Sequence, residues 1–436
     1  MAENVVKKAA AARSAFLKAS VSSSRQRNLA LKKIVAGLKK NKGKIFAANA
    51  KDLKAAEKSG LVGPLFKRLQ LNNEKFREIL REVEGVEKQR DLAGKAISVT
   101  LLDKGLELSQ VATPLGVICA IFESRPDALV QISALSIKTG NSVILKGGSE
   151  AKNTNRVLAS VVREALHGAG LPTDSVQLIE ARSSVKKILS LNEFIDLIIP
   201  RGSNAFVKFI QKNSSIPVLG HSEGVCHEFV DESADLQKAV KICVDAKVQY
   251  PAVCNAMETL LVHRKIAAKF LPEYAKALNG KVELRCDNNS FAILKKAGFK
   301  ARKASKNDWR AEYNDYILSI KVVGGIVEAI AHVNTFGSKH TDGIITENRK
   351  NAEKFLAAVD SAGVFWNAST RFSDGYRYGK GAEVGISTGK IHARGPSGAE
   401  SLLTYKYVLK GPGKKAFIVG DYVGRGAKKF LHKKVL

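Results

Sequence analysis

Apolar residues in the first ninety positions recur at roughly the spacing of an α-helix. Leu29, Ile34, Val35 and Leu38 stand among lysines, so that one face of a helix would be apolar and the opposite face charged. This amphipathic pattern is typical of a helix that packs one side against a core. The first ninety residues are therefore predicted to be mainly helical.

Short apolar runs begin after residue 110 and alternate with segments of helical spacing. The runs cover residues 117–122, 142–145, 175–179 and 195–199, and the helical patterns cover residues 127–138 and 157–166. Short buried strands that alternate with helices are typical of a parallel sheet with right-handed crossover connections. Ligands of such sheets bind beyond the carboxyl ends of the strands.

The same alternation starts again near residue 250. Strands are predicted at residues 257–263, 317–323, 342–346 and 363–367, with a helix at residues 265–277, which indicates a second α/β domain. Residues 106–111 alternate weakly, as an exposed strand does. Residues 371–398 are rich in Gly, Arg and Ser, and a long irregular stretch in a compact domain is usually functional.

The composition is strongly basic. The 436-residue chain has 71 lysines and arginines against 41 aspartates and glutamates, a formal net charge of +30. Such a charge is typical of proteins with anionic partners, which include nucleic acid, acidic membranes and phosphorylated small molecules. The basic residues are spread along the whole chain, however, so a solvated lysine-rich surface is the simpler explanation.

The five cysteines, at positions 119, 226, 243, 254 and 286, form no C-x-x-C pair. A zinc ribbon or redox dithiol is therefore not expected, and no metal site is predicted. A sparse and odd number of cysteines is typical of reduced thiols in the cytoplasm. No run of about 18 apolar residues is present, so no membrane span is expected. The basic N-terminal segment has helical spacing, and no cleaved targeting signal is expected.

Two glycine turns are candidates for anion binding. Gly147-Gly148-Ser149 and Gly202-Ser203 each follow a predicted strand and precede a predicted helix. Backbone N–H groups at the positive end of a helix can hold an anion there. Neither turn matches the G-x-G-x-x-G fingerprint, so an ordinary turn is the simpler explanation of each one alone.

Cys254 and a group of arginines are the other candidates for chemistry. Cys254 follows Pro251 near the predicted domain junction, although free cysteines are more often buried and inert than nucleophilic. Arg371, Arg377 and Arg394 lie on Gly-rich loops beside aromatic residues. They suit a clamp for carboxylate or phosphate, a stacking surface for nucleic acid, or plain solvated loops.

Six blocks of the chain resemble the γ-glutamyl phosphate reductase family of the aldehyde dehydrogenase superfamily. They follow one another in the family's order, span roughly residues 110–405, and look closest to the plant-type form. The blocks are Val117-Ile118 with Glu123-Ser124-Arg125-Pro126; Gly140-Asn141 with Leu145-Lys146-Gly147-Gly148-Ser149-Glu150-Ala151; Gly220-His221 with Gly224-Val225-Cys226-His227; Pro251 with Cys254-Asn255-Ala256-Met257-Glu258-Thr259-Leu260; Asn367-Ala368-Ser369-Thr370-Arg371-Phe372; and His392-Ala393-Arg394-Gly395-Pro396.

The resemblance implies an aldehyde dehydrogenase-like α/β fold. A Rossmann-like NADPH-binding domain would cover residues 1–100 and 114–250, and an α/β catalytic domain would cover residues 251–403. A small oligomerisation hairpin would use strands in residues 101–113 and 404–436, which also include a C-terminal tail. The resemblance therefore also implies a homo-oligomer, either a dimer or a tetramer.

The activity that the resemblance implies is the NADPH-dependent reduction of γ-glutamyl phosphate to glutamate 5-semialdehyde with release of phosphate. This is the second step of proline biosynthesis and is expected in the cytoplasm. Cys254 would be the nucleophile and would carry a thioester. Glutamate 5-kinase is a candidate partner, because the plant-type form carries a fused kinase domain that these 436 residues do not contain.

The resemblance also assigns roles to individual residues. Ser149 stands where NAD-preferring relatives often carry a glutamate that repels the 2′-phosphate, which favours NADPH, although Glu150 follows one position later. Arg125, Asn255, Arg371 and Arg394 are candidates for binding the substrate. The remaining cofactor candidates are Lys146 at the adenosine ribose, Gly202 and Ser203 at the pyrophosphate, and Glu312 at the nicotinamide ribose.

Two other functions are open at this point. A non-phosphorylating aldehyde dehydrogenase would need the glutamate base of the superfamily's E-L-G-G stretch, whereas Val218-Leu219-Gly220-His221 stands here and Glu223 is only nearby. A basic nucleic-acid-binding scaffold on a degenerate enzyme fold would account for the net charge of +30.

Overall fold

Helices form the N-terminal part of the computed structural model, which describes residues 4–61, 63–181, 183–220 and 223–436. Ile34 and Leu38 are buried as the apolar pattern predicted, whereas Leu29 is exposed. A capping box between Ser23 and Gln26 fixes the start of the second helix. The helices are α1 (Val5–Ala19), α2 (Ser24–Lys40), α3 (Lys42–Lys58), α4 (Gly63–Leu69) and α5 (Asn73–Lys88).

An antiparallel hairpin and a parallel sheet come next. The hairpin is formed by β1 (Ala96–Asp103) and β2 (Leu106–Pro114). The parallel sheet has the strand order β5-β4-β3-β6, and helices cover both of its faces. Its elements are β3 (Val117–Phe122), α6 (Pro126–Thr139), β4 (Ser142–Lys146), α7 (Lys152–Gly168), β5 (Val176–Ile179), α8 (Ser184–Ile188), β6 (Leu197–Arg201) and α9 (Asn204–Asn213).

A second parallel sheet follows, with the strand order β10-β9-β11-β8-β7-β12-β13. Its central strand β8 is buried along its whole length, because helices cover both faces. The elements are β7 (Cys226–Val230), α10 (Leu236–Val248), β8 (Met257–His263), α11 (Arg264–Leu278), β9 (Glu283–Cys286), α12 (Asn288–Lys296), β10 (Arg302–Lys303), β11 (Ile317–Val323), α13 (Ile326–Phe336), β12 (Thr341–Ile345), α14 (Arg349–Ala358) and β13 (Gly363–Trp366).

The last part of the chain returns to the first sheet and then extends the hairpin. β14 (Gly385–Ser387) pairs with β15 (Gly395–Ser397), while Ala382, Val384 and Leu402 join the core of the first sheet. β16 (Leu403–Lys410) pairs with β2, and β17 (Lys433–Lys434) pairs with β1. The hairpin therefore becomes the centre of an antiparallel sheet with the order β16-β2-β1-β17.

The chain passes from the first sheet to the second before residue 250, where the domain boundary was predicted. β7 pairs with β8 and β12, and α10 packs in the core of the second sheet, so residues 226–250 belong with the second sheet. The strand was missed because His227 and Glu228 are polar but fully buried in it, which breaks the apolar run. The hairpin likewise begins at Ala96, before the predicted start at residue 101.

Candidate active site

Cys254 lies in the turn between α10 and β8, at the amino end of a central strand of the second sheet. Its side chain is only partly buried, whereas Cys119, Cys226, Cys243 and Cys286 are all buried. The Cys226 thiol donates to the Cys254 carbonyl oxygen over 3.2 Å. The exposure of its thiol thus separates Cys254 from the other four cysteines.

Gly224 lies directly against the backbone of Cys254. A Cβ at position 224 would lie 2.1 Å from the Cys254 carbonyl oxygen and 2.6 Å from its Cα and Cβ. No side chain fits there, because real Cβ atoms do not approach backbone atoms so closely. Close packing against glycine therefore fixes the position of the Cys254 turn.

Two arginines from distant parts of the chain interact electrostatically with Cys254. Burial lowers the pKa of Arg201, Arg125 lowers it further, and Glu383 and the Cys254 thiolate raise it. Burial likewise lowers the pKa of Arg371, which Arg377 also lowers, whereas Asp374 and the Cys254 thiolate raise it. Both guanidinium groups are thus within electrostatic range of the sulfur.

Arg371 and Arg125 each have a fixed orientation. The Arg371 Nε donates to the Gln249 Oε1 over 2.9 Å. Arg125, at the carboxyl end of β3, pairs with Asp127 over 3.0 Å, and Asp127 is the main reason that the Arg125 pKa is raised. These contacts hold both predicted substrate arginines in place without a ligand.

The other two predicted substrate residues are differently placed. The Asn255 Nδ2 donates to the Ser373 carbonyl over 2.8 Å, while its buried Oδ1 has no partner among the described residues. Arg394 pairs with Asp360 through Nη1 over 3.0 Å and donates to its carbonyl through Nη2 over 2.9 Å. Arg394 is therefore anchored to the loop before β13, and its predicted role as a substrate ligand has less support than those of Arg125 and Arg371.

The loop after β4 has little room for side chains. Lys146 is buried, and its Nζ donates to the Gly147 carbonyl. A Cβ at Gly147 would lie 2.2 Å from the Asn155 Nδ2, and one at Gly148 would lie 2.0 Å from the Glu150 Oε1. The loop backbone therefore lines a small cleft together with Ser149, Lys152 and residues 178–180.

Glu150 follows Ser149, the residue compared with the glutamate of NAD-preferring relatives, and its side chain contacts the loop after β3. Its Oε1 accepts hydrogen bonds from the Ser124 backbone N–H over 2.5 Å and from the Ser124 hydroxyl over 2.9 Å. Ser149 lines the cleft, and Glu150 does not. This arrangement agrees with the alignment that matches Ser149, rather than Glu150, to the selective position.

Gly202, Ser203 and Glu312 come together where the two halves of the chain meet. Ser203 precedes α9 and donates its N–H to the Glu123 Oε2 over 3.3 Å. The Asn204 Nδ2, in the first turn of α9, donates to the Glu312 Oε2 over 2.8 Å. Three residues predicted to bind one cofactor are thus neighbours, although 110 positions separate Gly202 from Glu312.

A buried ion pair lies behind the Cys254 turn. The Lys247 Nζ of α10 is 2.6 Å from the Glu258 Oε2 of β8, and both side chains are fully buried. The Glu258 Oε1 also accepts a hydrogen bond from the Asn314 N–H over 3.1 Å. The pair therefore ties the two elements that flank Cys254 to the loop that carries Glu312.

The position of the superfamily's glutamate base holds no carboxylate in the described part of the chain. Val218 forms a parallel bridge with Ile198 of the first sheet, and Glu223 contacts Lys208 of α9. His221, which belongs to the compared stretch, lies outside the described residues.

Sequence reasoning missed four residues of this site, namely Arg201, Lys247, Glu258 and Glu383. Arg201 closes an apolar run directly before Gly202, and Glu258 stands in the family block that begins at Cys254, but neither was assigned a role. Lys247 and Glu383 are charged residues whose burial or pairing appears only after folding.

Comparisons with known proteins agree with this geometry. The model of the aldehyde dehydrogenase family matches residues 1–290. The γ-glutamyl phosphate reductase of Pelotomaculum thermopropionicum is 55% identical over 410 residues, 94% of this chain and 92% of the relative. The reductase of Methanosarcina barkeri is 51% identical over 442 residues, 100% of this chain and 98% of the relative. The chain belongs to the γ-glutamyl phosphate reductase family.

The crystal structure of γ-glutamyl phosphate reductase from Thermotoga maritima has the same fold. Its TM-score is 0.91 at 40% identity, and the match covers 95% of this chain and 100% of that one. The predicted family, enzyme class and aldehyde dehydrogenase-like fold are therefore confirmed. Among the described residues, none of the helices has the length and apolar character needed to cross a membrane.

We expect Gly224→Ala to destabilise the Cys254 turn. Its new methyl group would overlap backbone atoms of Cys254, and overpacking of this kind typically costs about 1–3 kcal/mol. Gly43→Ala is the matched control, because a Cβ at that position meets no atom within 4 Å. Thermal unfolding followed by circular dichroism checks this, and equal midpoints for the two variants would contradict the close contact.

Proposed function

We propose that this chain reduces γ-glutamyl phosphate to glutamate 5-semialdehyde with NADPH and releases phosphate, the second step of proline biosynthesis. Its family membership supports this activity. The observation that carries the mechanism is the partly exposed Cys254, the only one of the five cysteines that is not buried, in a turn whose Asn255 contacts the loop after Arg371. A nucleophile within electrostatic range of arginines suits an acyl substrate whose leaving group is an anion.

The proposed reaction begins at the Cys254 thiolate. The sulfur attacks the γ-acyl carbon, and a carbon–sulfur bond forms. The carbon–oxygen bond to phosphate breaks, and phosphate leaves with that electron pair, so that a thioester stays on Cys254. Arg371 is proposed to stabilise the leaving phosphate. Backbone N–H groups of the Cys254 turn are proposed to stabilise the oxyanion, a kind of donor whose loss typically costs about 2.7–4 kcal/mol.

The first sheet offers a fitting site for a nicotinamide dinucleotide, the cofactor class of aldehyde dehydrogenases. The loop after β4 has glycines at two successive positions, and its backbone lines the cleft, so a ligand there can approach the backbone closely. Lys146 and Ser149 would hold the adenosine ribose, Gly202 and Ser203 the pyrophosphate, and Glu312 the nicotinamide ribose. Bound NADPH would supply the hydride that reduces the thioester.

The alternatives fit the geometry less well. A hydrolytic dehydrogenase needs a base that activates water near the thioester. The nearby Glu223 contacts Lys208, and Glu258 is buried with Lys247, so neither carboxylate is available for this role. A thioester protected from water in this way suits a reductase. A nucleic-acid-binding scaffold is not favoured, because the relatives that span the chain are reductases.

Cys254→Ala tests the proposed function in the reverse direction. With glutamate 5-semialdehyde, NADP⁺ and inorganic phosphate, the natural chain is expected to form NADPH only when phosphate is present. The variant is expected to lose more than about 10⁴-fold in rate, because loss of a nucleophile removes the covalent route. Absorbance of NADPH measures both. Cys286→Ala is the control, since this cysteine is buried in β9 and is expected to leave the rate unchanged.

Each other result has a definite meaning. NADPH formation without phosphate would identify a hydrolytic dehydrogenase. Equal rates for Cys254→Ala and the natural chain would exclude Cys254 as the nucleophile. A folded chain with no NADPH formation would contradict the proposed function, and salt-dependent binding to nucleic acid would then be the next measurement.

Ser149→Glu tests the proposed preference for NADPH. A carboxylate beside the adenosine ribose would repel a 2′-phosphate, so the ratio of kcat/KM for NADP⁺ to that for NAD⁺ should fall roughly tenfold or more. Ser160→Glu, which adds the same charge on the exposed side of α7, should leave the ratio unchanged. A ratio that stays constant in both variants would show that position 149 does not face the 2′-phosphate.

The antiparallel sheet is proposed to join copies of the chain into a dimer or tetramer. β16 is an edge strand, and Tyr405, Tyr407 and Leu409 expose 51%, 64% and 57% of their surfaces along it. An unpaired edge with a row of exposed apolar side chains suits pairing with another copy. The cytoplasmic location and the partner glutamate 5-kinase stay predictions.

Tyr407→Lys is expected to weaken this association, because a charge on an edge strand opposes pairing with a second strand. Sedimentation velocity should show a smaller species than the natural chain forms at the same concentration. Leu17→Lys places the same charge on an exposed position of α1, outside the antiparallel sheet, and is expected to leave the sedimentation coefficient unchanged. A natural chain that sediments as a monomer would overturn the proposal.

A further inference from the structure

Glu383 is a carboxylate that lies beside arginines which could bind an anionic substrate. It lies beside Arg201, with 3.6 Å between the Glu383 Oε1 and the Arg201 Nη1. Arg125 belongs to the same group of charges, since its pKa is raised first by Asp127 and then also by Glu383. A negative charge here weakens the binding of phosphate and carboxylate groups. A positively charged group on the ligand would explain why a carboxylate stands at this position.

The position of Glu383 is rigid. Its neighbours Ala382 and Val384 are buried in the core of the first sheet, whereas the Glu383 side chain is 21% exposed. The Glu383 Oε2 accepts the Gly375 N–H over 2.9 Å. A Cβ at Gly375 would lie 2.7 Å from the Glu383 Cβ, so the carboxylate also fits closely against this loop.

The second oxygen of Glu383 is less fully engaged. Its 3.6 Å distance to Arg201 exceeds the roughly 2.7–2.9 Å of a charge-assisted hydrogen bond. Asp127, by contrast, meets Arg125 at 3.0 Å and lies in the first turn of α6, where the helix dipole favours a carboxylate. Asp127 is thus explained by its local partners, whereas the Glu383 Oε1 has the geometry to accept a stronger donor.

A loop joins this group of charges to the Cys254 turn. The Asn255 Nδ2, next to Cys254, donates to the Ser373 carbonyl over 2.8 Å, and two positions later the Gly375 N–H donates to Glu383. The Arg201 side chain is 15% exposed beside the 21% exposed Glu383, so a ligand with its acyl carbon at Cys254 can extend along this loop toward both. γ-Glutamyl phosphate carries both a carboxylate and an ammonium at the end remote from its acyl carbon.

We propose that Glu383 binds the α-ammonium group of the substrate, while Arg201 and Arg125 bind its α-carboxylate. This inference rests on the proposed function and adds a specificity element to it. The subsite selects an α-amino acid over a dicarboxylate derivative of the same length. A ligand without an ammonium group would leave the Glu383 carboxylate without a partner, which weakens its binding. Recognition of the ammonium therefore discriminates strongly between the two kinds of ligand.

Glu383→Gln tests the subsite with two aldehydes that differ only in the amino group. The phosphate-dependent reverse reaction is measured with glutamate 5-semialdehyde and with 5-oxopentanoate, each corrected for its open-chain fraction. The variant is expected to lose roughly 10- to 100-fold in kcat/KM for the amino substrate and little for 5-oxopentanoate. Glu383→Asp, which keeps the charge, should retain part of the discrimination.

Inhibition gives a second readout that needs no turnover of 5-oxopentanoate. The inhibition constant of L-glutamate should rise in Glu383→Gln, whereas that of glutarate should stay the same or fall. Glu347→Gln is the matched control, since Glu347 is exposed and pairs with Lys238 elsewhere in the second half of the chain. It should leave both the kcat/KM ratio and the two inhibition constants unchanged.

The outcomes separate this inference from the proposed function. A natural chain without phosphate-dependent activity toward either aldehyde would overturn the proposed function and the subsite with it. An active natural chain whose Glu383→Gln variant loses equally on both aldehydes, or on neither, would overturn the subsite alone. An unchanged inhibition constant for L-glutamate would have the same meaning.

Discussion

The buried pair of Lys247 and Glu258 is the interaction on which the geometry around Cys254 most depends. Burial lowers the pKa of Lys247 and raises that of Glu258 to about 7, and each partner opposes the shift of the other. Breaking such a pair leaves an uncompensated charge in the interior, typically at a cost of about 3–5 kcal/mol. Because α10 and β8 flank the Cys254 turn, the pair fixes the nucleophile from both sides.

The same pair also relates the nucleophile to the cofactor residues. Glu258 accepts a hydrogen bond from Asn314, two positions after Glu312, and Glu312 reaches Asn204 at the start of α9. The two sheets present opposite ends to this region: the amino end of β8 carries Cys254, and the carboxyl ends of β3, β4 and β6 carry the loops that are proposed to bind the cofactor. A nucleophile and a hydride donor on separate sheets need such a fixed connection to stay aligned.

Sequence patterns predicted the strands that are buried mainly through apolar side chains. The strands β3, β8 and β11 have the predicted bounds. Helices cover both faces of these parallel strands, so β3 is apolar throughout, and β8 and β11 stay mostly apolar despite Glu258 and Lys321. β7 was not predicted, since His227 forms a 2.8 Å contact with Asp342 inside the core and makes the strand look polar. Burial with a partner from another strand leaves no periodic signal in either segment.

The residues of the candidate site also fall into those that the sequence identified and those that only the fold revealed. Cys254 and the glycine turns were found because family motifs and neighbouring Gly and Pro residues mark them in the sequence. The pairing of Arg201 with Glu383, by contrast, joins segments more than 180 positions apart. Charged residues are ordinarily exposed, so sequence alone offers no reason to place these two in one cleft. Such long-range charge pairs are therefore visible only once the fold has brought the segments together.

The phosphate-binding role proposed for Arg371 has to serve the reaction in both directions. In reduction Arg371 would stabilise the phosphate as it leaves, and in the reverse direction it would hold inorganic phosphate close enough to attack the thioester. Arg371 is suited to this because its Nε is already held by Gln249, which leaves the two terminal nitrogens of the guanidinium to form a fork toward a ligand. A fixed arginine loses little conformational entropy on binding, and so it stabilises the transition state shared by both directions rather than the bound phosphate alone.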